Sequence, residues 1–427
     1  MKIRILSSAL VSLACLASPL NAQSAATAVT KPRIESGFAT DRLARIDQFL
    51  QGYVDKNQIA GAVALVMRDG RVVYERAVGW ADKEAGRRMT TDAIFRIASQ
   101  SKALTSTAIL ALVEDGKIGL DDAVSRYIPE FAHTTVAIKS DTGRVIVAAK
   151  RAITIRDLLT HTAGISYGTD SLVGPLYSAK GLGPAAGWGW YTADKNEPIC
   201  TTIERLATLP FVEQPGEKWV YGYNTDILGC VVERAAGIPL DQFIRTRITE
   251  PLGMMDTFFF LPPEKRQRLT AVYLSDSAGH AQRAPNGPRG QGDYVDGPRR
   301  SFAGGAGLLS TARDYARFLQ MLLNGGELDG ARILSPKTID LMTTNQVAVP
   351  FRSGQGFGLA FSTNERVGAD GLASVGTWGW GGAYGSIYKV DPKEHLVMVF
   401  MIQQLPNRAD INSKFPTLVY QALVQPK

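Results

Sequence analysis

Cysteine and histidine are scarce: the 427 residues include three cysteines and four histidines. His133, His161, His280 and His395 lie far apart, and none is spaced with another histidine or a cysteine as a ligand pair, so no metal centre is expected. Three cysteines are too few for a disulfide-built scaffold. No apolar run reaches the roughly 20 residues that span a bilayer, so no stable membrane insertion is expected. Lys and Arg are scattered rather than massed, and the formal charge of +7 reads as a mixed, solvated surface with no nucleic-acid face. Internal repeats and long polar tracts are also missing. What remains, with 45% hydrophobic and 20% charged residues, is a globular chain long enough to bury a large core.

The first residues depart from that average. Lys2 and Arg4 precede a mostly apolar run over 5–17, followed by Ser18, Pro19 and small residues around Ala22, which is the pattern of a secretory signal peptide over 1–22. Cleavage near Ala22 is expected to release a soluble, secreted, periplasmic product. Lipid attachment at Cys15 is disfavoured, because Ser12 stands where such a site takes leucine. Cys200 and Cys230 remain after cleavage. An oxidising compartment permits a bridge between them, the apolar stretch 227–232 also suits a buried free thiol at Cys230, and the sequence leaves both readings open.

Helical spacing through Leu43, Ile46, Leu50 and Val54 predicts a first helix over 41–54. Two β-rich runs, 60–67 and 72–78, flank Arg68-Asp69-Gly70-Arg71, and an Asp-Gly pair between such runs signals a hairpin. A second hairpin is expected from 384–390 and 396–402, followed by a helix over 415–424. Between these ends, helical stretches at 102–114, 155–159, 203–209, 227–236 and 311–323 alternate with Gly- and Pro-rich loops. The expected class is α+β: an antiparallel sheet built from the N- and C-terminal segments and flanked by helices, with an inserted, mostly helical region. As one catalytic unit over 23–427, it divides into sheet-bearing parts at about 40–98 and 330–427 and an insert at about 99–329. A cleft is expected where the two meet. The loop 279–300 reads as either a surface excursion or a lid.

Ser99-Gln100-Ser101-Lys102 stands between a strand-like run, 94–97, and an apolar helical stretch, 103–113. Three residues apart in the first helical turn, the Lys102 amine can reach the Ser99 hydroxyl. Burial favours the neutral amine of a lysine, and a helix N-terminus favours negative charge developing at the serine. Alone, Ser-x-x-Lys is a weak signal that also fits an N-cap serine with an exposed lysine. Further along, Tyr221 follows the Pro215-Gly216 turn and precedes a helix, where its phenol can point into a cleft. Near the end, Trp380-Gly381-Gly382-Ala383 enters the C-terminal hairpin, and its glycines allow a substrate close to the backbone.

The order Ser99-x-x-Lys102, then Tyr221, then Trp380-Gly381-Gly382 resembles the serine β-lactamase and penicillin-binding-protein superfamily, and within it most closely the family VIII carboxylesterases, which are similar to class C β-lactamases. Supporting stretches are 154–164, 251–254 and 304–311, and the resemblance runs from about 40 to 425. It implies a β-lactamase/transpeptidase-like fold, acylation of Ser99, an acid/base pair of Lys102 and Tyr221, and an oxyanion hole from the amides of Ser99 and Ala383. It implies no cofactor. Tyr223, Asn224, Trp380, Gly381 and Gly382 are the implied substrate-binding positions, with two departures. Tyr223 occupies the place where many relatives carry asparagine, and Asn224 comes one residue late. Trp380-Gly381-Gly382 replaces Lys-Thr-Gly, removing a cation that pairs with a β-lactam carboxylate.

That replacement favours an ester on a short acyl group as the small-molecule substrate. A β-lactamase, peptidase or amidase of the same fold, or an acylated binding module without turnover, remain as alternatives. Gly164-Ile165-Ser166-Tyr167-Gly168 also matches a nucleophile elbow, but it lacks the strand before and the helix after that an elbow needs, so Ser166 is set aside. His161 reads as structural.

Overall fold

Side chains from Gly61 to Arg68 alternate between two cores. Val63 and Leu65 face one, and Ala62, Ala64 and Val66 face the other, as the twofold period of a strand requires. This strand, β1, pairs antiparallel with β2 (Arg71–Asp82) through Asp69 and Gly70, whose φ angles are 53° and 74°. A two-residue hairpin that follows the twist of its strands demands positive φ at both positions, which Asp-Gly tolerates. The structure, a computed structural model, describes residues 33–141, 143–183, 193–288 and 290–427. The expected leader at 1–22, with Cys15, lies outside the described residues.

A short β3 (Arg87–Arg88) closes one edge of the sheet. The C-terminal part of the chain supplies β4 (Gln355–Phe357), β5 (Ser362–Asn364), β6 (Trp378–Gly381), β7 (Ile387–Asp391) and β8 (Leu396–Met401). The eight strands run in the order β4-β5-β6-β7-β8-β1-β2-β3, with every neighbouring pair antiparallel. The two ends of the chain meet at β8 and β1, where Val399 lies opposite Leu65.

Helices cover both faces, which makes the architecture α+β. On one side α1 (Thr40–Asp55) contributes Leu43, Ile46 and Leu50, and the last helix contributes Phe415 and Val419, against Ala64, Met398 and Phe400. On the other side lies the larger core, with α2 (Ser101–Glu114), α3 (Asn224–Ala236) and α4 (Ala312–Leu323). Every residue of α2 from Ser101 to Leu112 is buried. A helix enclosed on all sides must be apolar all round, and this one is, apart from a few small hydroxyls and Lys102.

The terminal helix, α5 (Ile411–Ala422), starts earlier than its apolar spacing suggests, with Pro416 inside it. It also stops short of 424, because the Val424 N–H bonds instead to the Gly37 carbonyl. The loop 279–300 packs as a flank: the Gln291 side chain bonds both backbone groups of Val272, and Arg299 reaches the Leu261 carbonyl. None of its described residues lines the cleft described below. Among the described residues no helix is long and apolar enough to cross a membrane.

Cys200 and Cys230 are bridged, with Cα atoms 5.1 Å apart, tying the helix Ile199–Ala207 to α3 across 30 residues of sequence. Closing a loop of that length in the unfolded chain is worth about 3 kcal/mol by chain entropy. Reduction, or the double variant Cys200→Ser with Cys230→Ala, is expected to lower the melting temperature by several degrees. Reductant should lower it in the native chain and leave the double variant unchanged, as read by circular dichroism melts.

Candidate active site

Ser99 is delivered by an abrupt change of backbone. Phe95–Arg96 pairs antiparallel with Leu309–Ser310, and a single 3₁₀ turn, Ala98–Gln100, then leads straight into α2. Ala98 takes φ 45°, a left-handed conformation that costs a non-glycine residue on the order of 1 kcal/mol or more. Surrounding bonds hold the turn: the Leu308 N–H donates to Ser101 Oγ at 3.0 Å, and the Tyr315 hydroxyl donates to the Gln100 carbonyl at 2.9 Å. The end of β6 presses on the same turn. A Cβ at Gly382 would lie 2.6 Å from the Ile97 carbonyl oxygen, so only glycine brings that strand so close to Ser99.

Lys102 is 2% exposed and its side-chain nitrogen has three polar neighbours. Its Nζ lies 3.3 Å from Ser99 Oγ, 3.0 Å from the Tyr167 hydroxyl and 2.7 Å from the Gly305 carbonyl. These three neighbours could accept from all three N–H groups of the ammonium that forms when the amine takes up a proton, so that charge would be matched although buried. Behind it stands Asp226, which is fully buried. One carboxylate oxygen accepts from the Gly305 N–H at 3.0 Å and the other has no hydrogen-bond partner among the described residues. Burial pushes the Asp226 carboxyl up to about 6 against the opposing pull of Lys102 and the Gly305 amide. The Tyr167 phenol is held well above its ordinary value, chiefly by burial and then by Tyr221 and Asp226, so it stays neutral.

Tyr221 approaches from the turn before α3. Its ring centroid lies 4.7 Å from Lys102 Nζ, and its hydroxyl accepts from Trp380 Nε1 at 3.1 Å. Among the described residues no acceptor takes the phenol's own proton. His161, buried with φ 57°, packs its ring 4.7 Å from that of Tyr221. Its Nδ1 lies 2.8 Å from Asn224 Nδ2, which as a donor makes Nδ1 the acceptor, and burial holds the imidazole well below its ordinary value and neutral. His161 is thus a support behind Tyr221.

Ser99, Tyr221, Trp380, Gly381, Gly382 and Ala383 line one cleft of about 520 Å³, with Lys102 at its base through its bond to Ser99. Tyr223 and Asn224 do not join them. The Tyr223 hydroxyl donates to the Gly183 carbonyl at 2.7 Å, and Asn224 is spent on His161 and the Val220 carbonyl. As the first turn of α3 winds away from Tyr221, it carries both side chains behind the cleft wall, which corrects their expected substrate-binding role. Ser166 is also occupied: its hydroxyl donates to Asp170 at 2.8 Å and accepts from the Gly168 amide.

Two residues of the site went unnoticed in the sequence. Tyr167 follows Ser166 in the rejected Gly-x-Ser-x-Gly match, so the glycines there marked a real constraint assigned to the wrong chemistry. A Cβ at Gly164 would fall 2.0 Å from the Glu213 carbonyl oxygen, and one at Gly168 would meet the Tyr177 ring at 2.7 Å. Asp226 carried one usable signal, an acidic residue on the apolar face of a helix. Chemically, the arrangement can pass a proton between Ser99 and Lys102 and present backbone amides to a developing oxyanion.

The Beta-lactamase family matches residues 46–419 of this chain. Protein Rv1367c of Mycobacterium tuberculosis (strain ATCC 25618 / H37Rv) is 36% identical over 375 residues, covering 83% of this chain and 88% of the relative. Esterase EstB of Burkholderia gladioli is 33% identical over 371 residues, with the same coverage of 83% and 88%. Among solved structures, EstCE1, described as a hydrolase with promiscuous acyltransferase activity, superposes with a TM-score of 0.76 at 27% identity, covering 91% of this chain and all of that one. The fold is β-lactamase/transpeptidase-like. Nearly the whole described chain shares it, so this protein belongs to the Beta-lactamase family, a family of serine hydrolases.

Proposed function

We propose that the protein is a carboxylesterase that acts through an acyl-enzyme on Ser99. The observation that carries this reading is the 3.3 Å contact between Lys102 Nζ and Ser99 Oγ at the foot of a cleft walled by Trp380. The neutral amine of Lys102 takes the serine proton as Oγ bonds to the ester carbonyl carbon. The oxyanion that forms is met by the amides of Ser99 and Ala383. Collapse of the tetrahedral adduct breaks the bond to the alcohol oxygen, which receives a proton from the Tyr221 phenol, and Lys102 restores that proton. Water then repeats the sequence on the acyl-enzyme and frees the acid. A tryptophan in place of a cation supports an ester over a β-lactam, and kinship with EstB and EstCE1, named an esterase and a hydrolase, supports the same choice.

Sustained hydrolysis of p-nitrophenyl butyrate is the expected activity, and Ser99→Ala is expected to lower kcat by on the order of 10³-fold or more. A variant that keeps its activity, or a native chain that turns over nitrocefin faster than the ester, would overturn the assignment. Tyr167→Phe removes one of the three acceptors that position Lys102, and a fall in kcat of about 10- to 100-fold with little change in KM is expected from steady-state kinetics.

Asp226 sets a pH dependence. Its charge is close to Lys102 and Tyr167, and ionisation above about 6 favours the ammonium that Lys102 becomes during acylation. kcat/KM is therefore expected to rise through an apparent pKa near 6, and Asp226→Asn should abolish that limb. Stability runs the other way. The folded carboxyl lies above its unfolded value of 3.8, so its contribution is complete below 3.8 and lost as pH rises through about 6. Denaturant titrations of Asp226→Asn beside the native chain should show the difference moving in the variant's favour between pH 4 and pH 8.

A further inference from the structure

One charged group in the cleft has no ion-pair partner among the described residues. Arg352 lines the same cavity as Ser99, Tyr221 and Trp380, and among the described residues no carboxylate lies within ion-pair distance of its guanidinium. The other charged groups that line the cavity, Lys389 and Asp370, neutralise each other in an ion pair. Among the described residues, the cavity lining therefore carries one positive charge without an ion-pair partner.

Its position is defined by aromatic rings. The guanidinium carbon lies 5.6 Å from the Trp380 ring centroid and 4.9 Å from that of Phe351. Contact with two rings steadies a planar guanidinium while leaving edge N–H groups open to an acceptor. The backbone beneath is also constrained: the Gln355 N–H donates to the Arg352 carbonyl at 3.0 Å, and Gly354 closes the turn with φ 69°. Trp380, under the guanidinium, donates its own N–H to the Tyr221 hydroxyl. Tyr221 is the group that hands a proton to the departing alcohol in the proposed reaction. Arg352 therefore stands on the alcohol side of the scissile bond, one indole beyond the proton donor.

We propose that Arg352 is an anion subsite that selects esters whose alcohol portion carries a carboxylate. The inference rests on the esterase reading and deepens it. The motif position that holds Trp380 has no cation of its own, and a guanidinium from the neighbouring loop, laid over that tryptophan, supplies one further out. A carboxylate on a phenol or alcohol leaving group would accept two parallel N–H bonds there.

The test compares two matched pairs of acetates, 4-acetoxybenzoate with 4-acetoxybenzamide and 4-acetoxyphenylacetate with its amide, on the native chain, Arg352→Gln and Arg352→Lys. Each pair differs in one charge on the leaving group, and the intrinsic reactivity difference cancels when the ratio of kcat/KM is compared between proteins. For an exposed charge pair, the anion-to-amide ratio is expected to fall about 3- to 10-fold in Arg352→Gln, mostly through KM, and to fall less in Arg352→Lys, which keeps the charge but not the two parallel N–H bonds. The native preference should also shrink in 0.5 M salt, because an exposed pair is screened. An unchanged ratio in Arg352→Gln, with the amides still hydrolysed, overturns the subsite and leaves the esterase reading intact. Failure of the native chain to hydrolyse any of the four acetates, or p-nitrophenyl butyrate, overturns the esterase reading and the subsite with it.

Discussion

A lysine ammonium removed from water must be given acceptors, and the middle of this protein is arranged around that requirement at Lys102. Its three partners come from three separate stretches: Ser99 in the 3₁₀ turn that leads into α2, Tyr167 from a glycine-flanked loop, and the Gly305 carbonyl from the segment that precedes α4. Gly305 is bound at both ends, since its amide is given to Asp226 on α3. Four segments are thus joined through one side-chain nitrogen and one glycine residue. Losing any member leaves a buried polar group unmatched, which is costly in a low-dielectric interior.

The close contacts around Ser99 serve the same centre. Gly382 admits the end of β6 against Ile97, and the left-handed Ala98 turns the chain so that Ser99 enters the cleft beside Ala383. The strain at Ala98 is held by the sheet on one side and by α2 and α4 on the other. The cleft lies where the C-terminal strands meet the helical region, so its two walls come from parts of the chain remote in sequence, Tyr221 and Trp380 being 159 residues apart. Tyr221 and Trp380, one from each wall, are linked by a single hydrogen bond.

Asp226 and Arg352 show opposite treatments of charge. Asp226 is buried with an unmatched oxygen beside a lysine, an arrangement that costs stability and acts on Lys102 through space. Arg352 is open to water, and its energy of interaction with any anion is modest and screened. The first is suited to adjusting proton transfer, the second to sorting substrates.

Much of this was legible before any coordinates. The β-rich run over 60–67, the Asp69-Gly70 turn and the adjacency of Ser99 and Lys102 follow from local composition and backbone periodicity, in which residues three apart on a helix have a fixed relation. The family resemblance added Tyr221 and the Trp380-Gly381-Gly382 strand, both of which line the cleft or meet Lys102. Tyr223 and Asn224 were misplaced because the first turn of α3 rotates them away from Tyr221, and one residue of helix turns a side chain by about 100°. The Cys200–Cys230 bridge, the reach of Tyr167 to Lys102, the burial of Asp226 and the place of Arg352 over Trp380 were settled by tertiary structure alone. Each depends on a distance between residues remote in the chain, and such distances are set by how helices and sheet pack, for which the order of residues along the backbone has no local rule.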